Sequence, residues 1–165
     1  LNAAFASVTI VGASLAGHAT AKALRRAGFA GTITMIGDES ERPYDRPPLS
    51  KGYLAGTVTA LELALEADDE ELDASWLLGS AAVDLDPTTR TVTLKDGQRI
   101  TSDAVVIATG SHARRMPNAP PGVHSVRTLA DAAALRRELR PGITLAVIGA
   151  GFIGAEIAST AHSLG

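Results

Sequence analysis

Two stretches far apart in the chain share one pattern: "VTIVGASLAGHATAKALRRAG" over residues 8–28 and "LAVIGAGFIGAEIASTAHSLG" over residues 145–165. In each, a β-branched run meets a cluster of glycines and continues as an alanine-rich, helix-forming segment. A strand that turns straight into a helix leaves the first helical N–H groups without intrahelical partners, and glycines there admit other atoms close to the backbone. The pattern constrains the chain to an α/β fold with a parallel sheet and covering helices. It also builds an anion site, because the helix dipole and the unpaired N–H groups favour a phosphate.

The first turn, Gly12 to Gly17, holds Gly12 for the tight bend and Gly17 for close helix–strand packing, with Leu15 and Ala16 between them. Ser14 stands where the middle glycine of the G-x-G-x-x-G pattern falls, so its Cβ crowds an incoming phosphate while its hydroxyl is able to donate to it. A second strand over 32–37 ends at Asp38 and Glu39, 21 and 22 residues after Gly17. An acid at that distance accepts from a ribose hydroxyl, so strand, turn, helix and acid together point to a dinucleotide. Small residues that only permit close packing are the plainer alternative. The second turn keeps all three glycines (Gly149, Gly151 and Gly154, with Ile153 before the last), and its acid would fall beyond residue 165. Two dinucleotide sites in one chain suit an enzyme that passes a hydride from one cofactor to another.

Between the two turns the pattern changes. "ERPYDRPPLSKGYLAG" over 41–56 carries three prolines, which predicts an irregular loop followed by a short helix from about Leu49. Residues 89–101 read as a β-hairpin turning at Lys95–Gln98, and 103–110 as a fully apolar, buried strand. The proline-rich stretch 111–125 is the linker candidate, 128–140 an amphipathic helix, and Ile143–Ile148 the strand of the second unit. The expected organisation is a first domain over 1–110, a linker over 111–125, and the start of a second, incomplete domain over 126–165. A strand–helix pair alone cannot cover a parallel sheet, so the chain is expected to be the front part of a longer protein.

Composition removes other classes. There are no cysteines, so the chain carries no disulfide, no thiolate metal site and no redox-active cysteine pair. Four scattered histidines lack ligand spacing, which predicts no metal. A net charge of −3 predicts no nucleic-acid partner, and no apolar run approaches the ~20 residues of a membrane helix. The acidic run Asp68–Glu71 reads as a solvated surface. The expected location is the cytoplasm.

"PYDRPPLSKGYLAG", "AVVIATG" and "VIGAGFIGAEIA", in that order and spacing, resemble the FAD-dependent ferredoxin reductases that serve bacterial oxygenase and cytochrome P450 systems. The resemblance covers essentially the whole chain, and "RPPLSK" is its most specific element. It implies a Rossmann-like FAD domain with a β-hairpin insertion, followed by the start of a Rossmann-like NAD domain. NAD(P)H would be the reductant and a ferredoxin-type iron–sulfur protein the acceptor. Carried over by position, Gly12, Ser14, Leu15, Ala16 and Gly17 would line the FAD pyrophosphate, and Asp38 or Glu39 would hold the ribose. Arg46, Pro47, Thr109, Gly110 and Arg127 would border FAD, and Val83 the adenine. Gly149, Gly151, Ile153, Gly154 and Glu156 would meet NAD. Lys51 and Glu156 would form an ion pair beside the flavin and carry the catalytic role. Two rivals share this fold, and a plain NAD-binding module is a third. A disulfide reductase needs the cysteine pair that the loop lacks, whereas a redox-responsive FAD protein acting by partner binding needs no other residues.

Overall fold

The computed structural model describes residues 5–66 and 72–165, so the acidic run at 68–71 lies outside the described residues. The chain divides into two compact units. The first runs to Tyr44 and resumes over Ala64–Gly110; the second comprises Asp45–Leu63 and Ser111–Gly165. The proline loop and the helix after it therefore pack with the C-terminal part of the chain. The sequence alone groups them with residues 1–110.

The first unit is built on β1 (Ser7–Val11), which passes through the glycine turn into α1 (Leu15–Arg26) and returns as β2 (Thr32–Ile36). β3 (Ala74–Leu77) continues the sheet outward. A smaller antiparallel sheet follows, with β4 (Ala82–Asp86), β5 (Thr91–Leu94) and β6 (Arg99–Thr101) in that order. β7 (Ala104–Ile107) then comes back to the main sheet, whose order is β3-β2-β1-β7 with every pairing parallel. β1 and β2 lie beside each other and β7 flanks β1, as the two apolar runs predict. The hairpin turns at Gly97 (φ +91°), a conformation that favours glycine.

Side-chain alternation divides the core into two layers. Val8, Ile10, Ile33 and Met35 point to one face, where they are buried with Ala21 of α1 and with Leu72. Ile36 points to the other face and packs with Val92 and Leu94 of the small sheet, with Val11, Leu77 and Val105 against them. One sheet thus has a helix on one side and a second sheet on the other, which is why β1 and β2 read as nearly continuous apolar runs. Residues 103–110 depart from expectation. β7 is partly exposed and Ile107 is 67% exposed, because the small sheet covers the strand's middle and leaves its end open.

The two strands that open the sheet's lower edge are tied by Asp103. Its Oδ2 accepts from Ala6 N–H (2.8 Å), Ser7 N–H (2.9 Å) and the Ser7 hydroxyl (3.0 Å). These bonds, led by the one from Ala6, hold its carboxyl below the ordinary value.

The second unit is helical. Pro47–Ser50 forms a 3₁₀ turn with proline at its start, where a missing N–H costs nothing, and α2 (Gly52–Ala55) follows it. α3 (Leu129–Glu138) begins with a capping box in which Thr128 accepts from Asp131 N–H and the Asp131 carboxylate accepts from Thr128 N–H. α4 (Phe152–Ser163) follows the second glycine turn. Leu49, Leu54, Leu63, Ala132 and Leu135 are the buried apolar residues of this unit. The expected strand at Ile143–Ile148 does not form: no other strand pairs with it among the described residues, and Ile148 is 76% exposed. A β-rich segment without a ladder partner has no backbone hydrogen bonds to hold it as a strand.

Two measurements check this core. Ile33→Ala empties a fully buried site in the helix-facing layer and should cost about 2–5 kcal/mol in urea unfolding; a loss under about 0.5 kcal/mol would contradict the packing. Asp103→Asn should destabilise the fold at neutral pH. A carboxyl held below its ordinary 3.8 contributes above that value and loses its contribution as pH falls from there through its lowered folded value. The gap between wild type and Asp103→Asn should therefore close below about pH 4, and a gap independent of pH would exclude the charged bonds.

Candidate functional site

In the first unit the strands end level with one another. Gly12 N–H donates to Ile36 C=O (2.8 Å), Gly37 N–H to Leu77 C=O (3.0 Å) and Ala108 N–H to Val11 C=O (2.7 Å). The chain moves from β1 outward through β2 and β3, then returns on the opposite side of β1 as β7. This reversal beside β1, outside the carboxyl ends of the strands, is the place where open α/β sheets bind ligands. Gly12, Ser14, Leu15, Ala16, Gly17, Asp38, Glu39, Val83, Thr109 and Gly110 all belong to this unit; Leu15, Ala16 and Gly17 open α1, Val83 lies in β4, and the others follow strand ends.

The glycines are required by close approach. A Cβ on Gly12, whose φ is +120°, would lie 2.0 Å from Ala108 C=O oxygen, and one on Gly17 would lie 1.9 Å from Gly12 C=O oxygen. No side chain fits either place without moving backbone. Gly37, which the sequence reading passed over, is a third: its Cβ would lie 2.7 Å from that of Ala13. The only signal for it was its place immediately before the acids. Ser14 proves permissible for the backbone, since φ is −137°, extended geometry that any residue adopts.

α1 starts at Ser14 with no side-chain capping bond and no acid in its first turn, and Leu15 and Ala16 are exposed. A helix start whose first residues are open to solvent, beside glycines that admit close contact, fits the pyrophosphate of a dinucleotide. At the end of β2 the two acids differ. Glu39 accepts from the Tyr44 hydroxyl (2.5 Å), whereas Asp38 is exposed and lines a cleft of about 360 Å³ with Gly79, Ser80 and Lys95. Val83 occupies a β-bulge: Ala82 pairs with Leu94 and Asp84 with Thr93, leaving Val83 between them and 61% exposed. Bulges re-aim a side chain, and here an apolar one faces solvent. Thr109 lines a small apolar hollow of about 150 Å³ with Val11 and Ile107.

The remaining predicted residues lie in the second unit. Arg46 donates to Arg127 C=O (2.8 Å), and Arg127 Nε donates to Ser111 C=O (3.0 Å). Pro47 opens the 3₁₀ turn, and its carbonyl accepts from Lys51 Nζ (3.2 Å). Lys51 also forms an ion pair with Glu156 at 2.9 Å, although 105 positions separate them in sequence. Ser50, absent from the sequence reading, donates to the same Glu156 oxygen at 2.6 Å. Bonds from Lys51 and then Ser50 hold the Glu156 carboxyl below its ordinary value. Gly149, at φ +110°, makes the tight turn, and a Cβ on Gly154 would lie 2.9 Å from Gly149 C=O oxygen. The close approach of the first turn is therefore repeated. Gly151 caps α4, and Ile153 is exposed.

No group of metal-ligating side chains occurs among the described residues, and no described helix is long and apolar enough to cross a membrane.

The sequence profile of the pyridine nucleotide-disulphide oxidoreductases matches residues 6–165. The chain is 44% identical over 162 residues to the ferredoxin–NAD(+) reductase subunit of the benzene 1,2-dioxygenase system of Pseudomonas putida, covering 96% of this chain and 40% of that protein. Putidaredoxin reductase of Pseudomonas putida is 39% identical over 163 residues, covering 94% of this chain and 39% of its own. The solved covalent putidaredoxin reductase–putidaredoxin complex matches with a TM-score of 0.88 at 38% identity, over 96% of this chain and 40% of that one. The chain spans about 40% of the length of these relatives.

If the glycine cradle binds a dinucleotide, Gly12→Val should abolish flavin retention in the protein as its gene encodes it, while Ser14→Gly should leave it unchanged. Flavin per protein after gel filtration measures both. A normal ratio in Gly12→Val would remove the site.

Proposed function

The chain belongs to the pyridine nucleotide-disulphide oxidoreductase family, and from that premise we propose that it acts in an FAD-dependent NAD(P)H:ferredoxin reductase. The acceptor is a ferredoxin-type iron–sulfur protein serving an oxygenase or cytochrome P450 system. The observation that carries this reading is the glycine cradle, with Gly12 and Gly17 in backbone contact, in a chain whose relatives bear the names of ferredoxin reductases. The family's disulfide chemistry is not open to these 165 residues, which include no cysteine.

FAD, when bound, accepts a hydride from NAD(P)H and gives up electrons singly. This chain's residues bind, orient and bias that cofactor. Backbone N–H groups at the start of α1 hold the pyrophosphate, and Asp38 or Glu39 accepts from the adenosine ribose. Val83 borders the adenine, and Thr109 and Gly110 close the site beside β1. Arg46, Pro47 and Arg127 also border FAD. Gly149, Gly151, Ile153 and Gly154 form the corresponding turn for NAD(P)H.

Lys51 places a positive charge by the flavin ring, which favours the electron-rich reduced form. Glu156 balances that charge. Reliance on NAD(P)H supports a cytoplasmic location, where that reductant is maintained.

Lys51→Met keeps most of the stem and removes the charge. It should lower the flavin midpoint potential by roughly 30 mV, equal to ~1.4 kcal/mol for a two-electron couple, and slow reduction by NAD(P)H. Glu156→Gln should raise the potential by leaving the lysine unbalanced. Redox titration and stopped-flow reduction decide the matter. Unchanged values in both variants would make the pair structural and favour a flavoprotein that works by binding partners.

A further inference from the structure

We propose that Ser50 is the positioning residue of the Lys51–Glu156 pair, and that Glu156 and Thr160 of α4 form a two-point clamp on it. This rests on the functional reading above and adds a residue to it. Three hydrogen bonds carry the inference. The Ser50 hydroxyl donates to Glu156 Oε2 at 2.6 Å, and Lys51 Nζ reaches that same oxygen at 2.9 Å. The Thr160 hydroxyl donates to Ser50 C=O at 2.9 Å. Glu156 and Thr160 are four residues apart, so they share one face of α4 and grip the side chain and the backbone of a single residue.

The two partners of Glu156 are unequal. Lys51 is a long, flexible side chain, 51% exposed, and water competes for its charge. Ser50 is 5% exposed and short. An O–H donor to a carboxylate at 2.6 Å is in the range of the strong, charge-assisted bonds. Its other acceptor, Pro47 C=O at 3.4 Å, is too distant to compete for the single proton. Ser50 therefore fixes where Oε2 sits, and Lys51 Nζ, steadied by Pro47 C=O, meets an oxygen already in place. The clamp also registers the 3₁₀ turn on α4, because Thr160 holds the backbone one residue before Lys51.

Threonine keeps the hydroxyl and alanine removes it, so Ser50→Thr and Ser50→Ala separate the bond from simple packing. The test is carried out on the protein as its gene encodes it, with ¹³C-labelled glutamate and the Glu156 signal identified by Glu156→Gln. In Ser50→Ala the Glu156 titration should move up towards an ordinary carboxylate, and Ser50→Thr should restore the wild-type curve. Thr160→Val should produce a smaller shift in the same direction. Reduction by NAD(P)H should slow by about tenfold in Ser50→Ala, with flavin content unchanged, because a displaced partner misorients the pair. An unchanged titration in Ser50→Ala, or a shift that only Lys51→Met produces, would overturn the inference. A flavin that NAD(P)H does not reduce in wild type would instead refute the functional reading, and the titration would still decide the role of Ser50.

Discussion

Backbone meets backbone at the first glycine turn, and the first unit is arranged around that contact. Gly12 lies so near Ala108, and Gly17 so near Gly12, that neither has room for one more carbon atom. The contact sets how closely α1 packs on β1 and where β7 ends beside it. It also leaves the first turn of α1 open, with Leu15 exposed, at the point where the strand order reverses. Packing and the proposed binding thus make the same demand on the same residues.

The second unit depends on a different kind of contact. Its candidate chemistry is concentrated on one carboxylate oxygen that accepts from a buried hydroxyl and a half-exposed ammonium. The proline turn presents two successive residues, Ser50 and Lys51, to that oxygen. Pro47 and Pro48 stiffen the turn, and the Pro47 carbonyl takes a further bond from Lys51. The rigidity of "RPPLSK" serves to deliver those two donors together.

Much of the first unit was legible in the sequence because its core strands are buried on both faces and flanked by punctuating glycines. β1, α1, β2 and the β5–β6 hairpin carry that signal. β3, in "ASWL", and β4 do not, since short strands with exposed positions show no period. Ile143–Ile148 looked like a strand from composition, yet strands are made by partners, and none pairs with it among the described residues. The grouping of 45–63 with 111–165 was hidden for a similar reason: it rests on contacts over a long separation. Lys51 and Glu156 were found through motif resemblance, whereas Ser50, adjacent to one of them, was missed because a serine in a turn has many ordinary explanations.

A glycine cradle of this geometry is proposed to belong to a flavoprotein that NAD(P)H reduces. The most direct measurement is the anaerobic visible spectrum of the protein as its gene encodes it, before and after NAD(P)H is added. One oxidised flavin per chain is expected, with an absorption band that bleaches on addition and returns when a ferredoxin-type acceptor is supplied. A colourless protein that takes up no FAD, or a bound flavin that NAD(P)H leaves oxidised, would contradict it.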